Sequence, residues 1–98
     1  MVKCEISTAN GVHRIECIGH ATGSEKVCAA VSGLMYALIG FIGNQPELED
    51  IICECEIESG HSLVAFEEHN EAFEVVRTGL LQIAHTYPEY LKITENEG

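Results

Sequence analysis

The chain has 98 residues, 46% of them hydrophobic, with 16 acidic side chains against 5 Lys and Arg and a formal charge of −11. That length allows one domain and leaves no room for a separate substrate domain. The charge excludes an electrostatic grip on a nucleic-acid backbone, which needs clustered Lys and Arg; it suits a basic partner, or simply keeps the chain soluble.

Val2 to Ser7 alternates apolar and polar residues, Asn10-Gly11 is a tight-turn signal, and Val12 to Ile18 continues as a second strand. A loop through His20 follows. Thr22 with Glu25 three residues on has the capping-box pattern, which predicts a helix from about Gly23 or Ser24. Val27 to Gly43 carries no charge, the short end of what a bilayer needs. Ser32, three glycines and the lack of basic or aromatic flanks argue instead for a helix of a soluble domain, buried nearly all round.

Gly43-Asn44-Gln45-Pro46 stops that helix. Ile51 to Glu58 and Ser62 to Glu67, joined by Ser59-Gly60-His61, form a second hairpin pattern. A second helix is predicted from Asn70 as N-cap, burying Ala72, Val75, Val76, Gly79, Leu80 and Ile83, and ending at Tyr87-Pro88. Tyr90 to Thr94 suits a last short strand, with Glu95 to Gly98 expected to fray. The order ββαββαβ predicts an α+β fold: a single domain over residues 1–98, with two helices packed on an antiparallel or mixed sheet.

Five cysteines raise disulfide and metal readings. Cys4, Cys17, Cys53 and Cys55 fall in strand-like segments without a CxxC knuckle, so buried thiols acting as small hydrophobes are the favoured reading, and no metal is expected. The odd count and the absence of a signal peptide pattern point to a reducing cytoplasm.

The segment Gly19 to Ser32 carries the chemistry. It sets His20 at the end of a strand and Cys28 in the first turn of the next helix, with a loop between them able to fold back. A thiol at a helix start is favoured as thiolate, and a nearby imidazole can protonate a leaving group. This predicts a small cysteine hydrolase. Ser32 lies one turn after Cys28 on the same helix face, either near the thiol or as a small packing residue. Glu25 either orients His20 or, by preference, caps the helix from position N3. Gly19 and Gly23 give the loop freedom to reshape, and the N–H groups of the helix start, that of Cys28 included, are expected oxyanion donors. His13, His61, His69 and His85 are expected at the surface. The competing reading is a non-catalytic peptide-binding module with an incidental cysteine; a zinc protein is a third.

The string Gly19-His20-Ala21, then Val27-Cys28-Ala29-Ala30-Val31-Ser32, resembles the signature of the ribosomal-processing cysteine protease (Prp) family. The resemblance extends through both hairpins and both helices to Tyr87-Pro88. It implies a homodimeric protease without cofactor that removes the N-terminal extension of a large-subunit ribosomal protein, through His20 and Cys28. A basic ribosomal-protein precursor would be the partner, with no direct nucleic acid and no membrane. Many members have a longer, glycine-containing loop that ends in an aspartate three residues before the cysteine. Here the loop is short and Glu25 stands at that place, which leaves the preferred cleavage site open.

Overall fold

In the computed structural model, which describes residues 1–97, the elements are β1 (Val2–Ala9), β2 (Val12–Ile18), α1 (Glu25–Gly43), α2 (Leu48–Ile51), β3 (Ile52–Glu58), β4 (His61–Glu67), α3 (Asn70–Thr86) and β5 (Leu91–Glu97). They form one mixed sheet of order β3-β4-β2-β1-β5, antiparallel except where β5 runs parallel to β1. The expected α+β architecture holds, with the single turn α2 added.

The β1–β2 hairpin closes on Asn10 and Gly11, both at positive φ (54° and 79°), as a two-residue turn of matching twist requires. The alternation of both strands then places Cys4, Ile6, His13, Ile15 and Cys17 on one buried face. Val64 and Phe66 of β4 continue that face, and α1 and α3 cover it with Val27, Val31, Met35, Leu38, Ile42, Phe73, Val76 and Leu80. Among the described residues both long helices lie on that one face of the sheet.

Several expectations are corrected. Helix α1 is buried along one stripe at 3.6-residue spacing, not all round; Tyr36 and Phe41 remain 57% and 46% exposed. Phe73 takes the core position where Val75 was expected, and Val75 is 69% exposed. The helix frame decides this, because Phe73, Val76 and Leu80 share a face and Val75 does not. Asn70 is the first residue of α3, preceded by His69 in a left-handed conformation (φ 47°). Its Oδ1 instead accepts from His13 Nε2–H at 2.6 Å.

His13 is therefore a core residue, only 8% exposed. Thr8 donates to its Nδ1 at 2.9 Å, and Phe73 stacks on it at 4.2 Å. Its ring nitrogens are satisfied, which permits burial. His61 and His69 are also engaged, donating to Glu16 at 2.6 Å and Glu47 at 2.8 Å.

Strand β5 runs on to Glu97 instead of fraying from Glu95; Gly98 lies outside the described residues. Arg77 of α3 holds Glu95 through its Nε and Nη2 at 3.0 and 2.8 Å, which fastens the end of the strand. Cys4 and Cys17 form a disulfide, where buried thiols were expected. They are register partners on the buried face with Cα atoms 4.1 Å apart, a juxtaposition that pattern reading of each strand alone does not reveal.

Candidate active site

The site forms where β2 ends and α1 begins. Gly19 turns the chain at φ 104° and packs so tightly on Met1 that a Cβ would lie 2.5 Å from the Met1 carbonyl oxygen. The chain then reverses through Ala21, whose buried methyl joins the core. Ser24 is the N-cap of α1, its hydroxyl accepting from Val27 N–H at 3.3 Å. That cap, rather than the Thr22–Glu25 pattern, starts the helix. Glu25 is consequently the first helical residue and not N3, so it does not act as the reach-back half of a capping box.

Cys28 falls at the fourth helical position, half-buried, with a free thiol. The backbone N–H of Ala21 donates to its Sγ at 3.0 Å, so the peptide just after His20 is folded onto the sulfur. The side chains of His20 and Cys28 line one cavity of about 240 Å³, together with Ser32, Tyr36, Ile57 and His61. His20 is exposed to solvent at its edge. The imidazole and thiol share the cavity without a hydrogen bond between them among the described residues. Such pairs often tighten only around a substrate. A second, open depression on the other side of Cys28 is lined by Gly23, Ser24, Glu25, Ala29 and Ser32. Cys28 thus stands between two hollows, one toward the β3–β4 turn and one along the first turn of α1.

Of the residues singled out in the sequence, His20, Cys28, Ser32 and Gly19 meet in the first hollow, and Glu25 borders only the second. The Cys28 N–H is not free for an oxyanion, because it donates to the Ser24 carbonyl at 3.3 Å. The N–H groups that open α1, those of Glu25 and Lys26, have no backbone acceptor among the described residues. Sequence reasoning missed the contribution of the β3–β4 hairpin, whose Ile57, Glu58, Ser59, Gly60 and His61 form the far wall. Nothing local marks them; they reach His20 only because β4 pairs with β2, aligning His61 with Ile18. Among the described residues no group of His, Cys, Asp and Glu is arranged to hold a metal ion.

Residues 1–92 match the family model described as cysteine protease Prp. Among solved structures, the chain resembles an essential ribosomal processing protease Prp from Staphylococcus aureus in complex with a covalently linked product peptide. That match has a TM-score of 0.78 at 18% identity and covers 98% of this chain and 100% of that one. The same protease with a substrate peptide gives 0.75 at 16% identity, with the same coverage. SMU.848 from Streptococcus mutans gives 0.71 at 22%, covering 100% of this chain and 96% of that one. No curated protein matches the sequence significantly.

Proposed function

Because the chain belongs to the cysteine protease Prp family, we propose that it removes the N-terminal extension of a basic large-subunit ribosomal protein, with Cys28 as nucleophile and His20 as its acid–base partner. The observation that carries this reading is the convergence of both side chains on one cavity at the start of α1, with Ala21 N–H donating to the sulfur. The N–H donor fixes the sulfur at the wall of the cavity, where a peptide carbonyl lying in that hollow comes within its reach.

The substrate lies extended across Cys28 from one hollow to the other. The free edge of β3 beside the first hollow offers backbone pairing to such a segment. Glu54, Glu56 and Glu58 on that strand give a basic peptide a favourable approach. The thiolate attacks the scissile carbonyl carbon, and the oxyanion draws on the unpaired N–H groups opening α1. His20 gives a proton to the departing amine, then takes one from the water that releases the acyl group. Ser32, one turn along from Cys28 and bordering both hollows, contacts the peptide.

The working unit is a homodimer. The solvent side of α1 supports this, since Ala29, Ala30, Gly33, Tyr36, Ala37 and Phe41 form an exposed face without a charge. The place of action is the cytoplasm, a compartment in which the buried Cys4–Cys17 bond would have to withstand the reducing pool. Neither nucleic acid nor membrane is a partner.

The test is incubation with a ribosomal protein bearing its extension, wild type beside Cys28→Ala, read by intact mass. Loss of the extension with wild type alone is the expected result. Cleavage by folded Cys28→Ala at the normal rate would overturn the mechanism, and a folded, thiol-reactive wild type that leaves the precursor whole would overturn the substrate.

A further inference from the structure

Histidines in thiol and serine hydrolases are commonly oriented by a third polar group that accepts from the ring. His20 has none here. Among the described residues its ring takes part in no hydrogen bond; only its carbonyl does, accepting from the Met1 amino group at 2.9 Å. What the ring does touch is the bare backbone of Gly60. A methyl added there would lie 2.6 Å from His20 Nε2, 3.1 Å from Cε1 and 3.3 Å from Cδ2. Three ring atoms therefore rest against the place where any other residue would carry its Cβ.

The surface under the ring is fixed from two sides. Gly19 N–H donates to the Gly60 carbonyl at 2.8 Å, tying the turn to the residue just before His20. His61, next to Gly60, donates to Glu16 of β2 at 2.6 Å. One tie runs from the strand that delivers His20 and the other from the residue between that strand and His20, so the β3–β4 turn cannot separate from them without breaking both.

We propose that Gly60 is the positioning residue of His20: its missing side chain is the seat of the imidazole, and steric packing there does the orienting that a carboxylate or amide does elsewhere. This rests on the catalytic pair proposed above. A seat of this kind constrains the ring by excluded volume, and a displacement of about 1 Å at a reacting group can cost about 100-fold in rate.

Gly60 also has a positive φ of 75°, so its replacement strains the turn whatever it touches. The chain contains a matched control. Gly11, in the β1–β2 turn, has a φ of 79° and nothing within 4 Å of its added Cβ. Substituting Ala at each position imposes the same backbone penalty, and substituting Asn, which tolerates left-handed φ, relieves most of it at both. Only at residue 60 does the new side chain meet His20.

The experiment compares Gly60→Ala and Gly60→Asn with Gly11→Ala and Gly11→Asn, beside His20→Ala, in the full chain. Readouts are thermal melting, kcat and KM on the ribosomal-protein precursor, and the pH profile of iodoacetamide reaction at Cys28. The expected result is similar melting within each matched pair, with kcat lowered roughly 10- to 100-fold for the Gly60 variants alone. KM stays within about twofold, and the alkylation profile moves toward that of His20→Ala. If Gly60→Asn matches Gly11→Asn in kcat and profile while His20→Ala is inactive, the seat is wrong and the pair stands. If His20→Ala itself cleaves and alkylates like wild type, the pair fails and this assignment with it. Should the precursor not be cleaved, the alkylation profiles alone decide between seat and no seat.

Discussion

Ala21 N–H donates to Cys28 Sγ at 3.0 Å, closing the loop that follows His20 onto the first turn of α1. The contact fixes the sulfur from the loop side, while Val27 and Val31, flanking it along the helix, are buried in the core. Cys28 is thus held by a backbone donor and a packed helix, independently of His20. This separation of roles makes the two halves of the site testable apart.

Cys28 is expected to react with iodoacetamide well ahead of Cys53 and Cys55, which are exposed on the edge strand β3 without such a donor. Peptide mapping of briefly alkylated protein measures this. Equal labelling of the three free thiols would show that the helix start gives Cys28 no special reactivity.

Reduction of the Cys4–Cys17 bond is expected to lower stability by about 3 kcal/mol, from the chain entropy of a loop with a sequence separation of 13. The fold should survive, since both sulfurs stay buried among apolar neighbours. Denaturant unfolding with and without reductant measures the difference, and unfolded protein should present three reactive thiols before reduction and five after.

Glu16 links stability to pH. The hydrogen bond from His61 holds its carboxyl below the ordinary value of 4.5, against the opposing effect of burial, and Arg14 adds a second hydrogen bond and its charge. Glu5 lies across the strand pair from Glu16, and Glu56 of β3 reaches His61 at 3.7 Å. A depressed carboxyl contributes stability that is complete above the unfolded value and lost as pH falls through the folded one. Glu16→Gln should therefore cost about 1 kcal/mol at neutral pH. The gap to wild type should narrow as pH drops below 4.5, in thermal melts run across that range. A gap independent of pH would assign the loss to packing instead.

Arg77→Ala is expected to loosen the end of β5, because Arg77 carries the hydrogen bonds to Glu95. The cost should be about 0.5–1 kcal/mol and should shrink in high salt, as for a partly exposed ion pair. Hydrogen exchange is the sharper measurement: amides near Glu95 should lose protection while those of β1 and β2 keep it. Unchanged exchange would mean that strand pairing with β1 suffices.

Features that depend on near neighbours were legible along the chain. The alternation in Val12–Ile18, the Asn10-Gly11 turn and the stop at Gly43 are each set within a few residues, where backbone preference and periodicity operate. The motif around His20 and Cys28 was legible for the same reason, and so was the α+β class. Features that depend on pairing between distant segments were not. Which stripe of α1 faces the core was not read along the chain either and follows from the sheet it packs on. Only the placement of β5 beside β1 and of β4 beside β2 brings Glu95 under Arg77, Asn70 to His13 and Gly60 under the His20 ring. The Cys4–Cys17 bond likewise needed the register of two strands, not the pattern of either. Contacts of this kind follow from which strands share an edge and in what register; a chain read in order shows the preference of each strand, but not its neighbour.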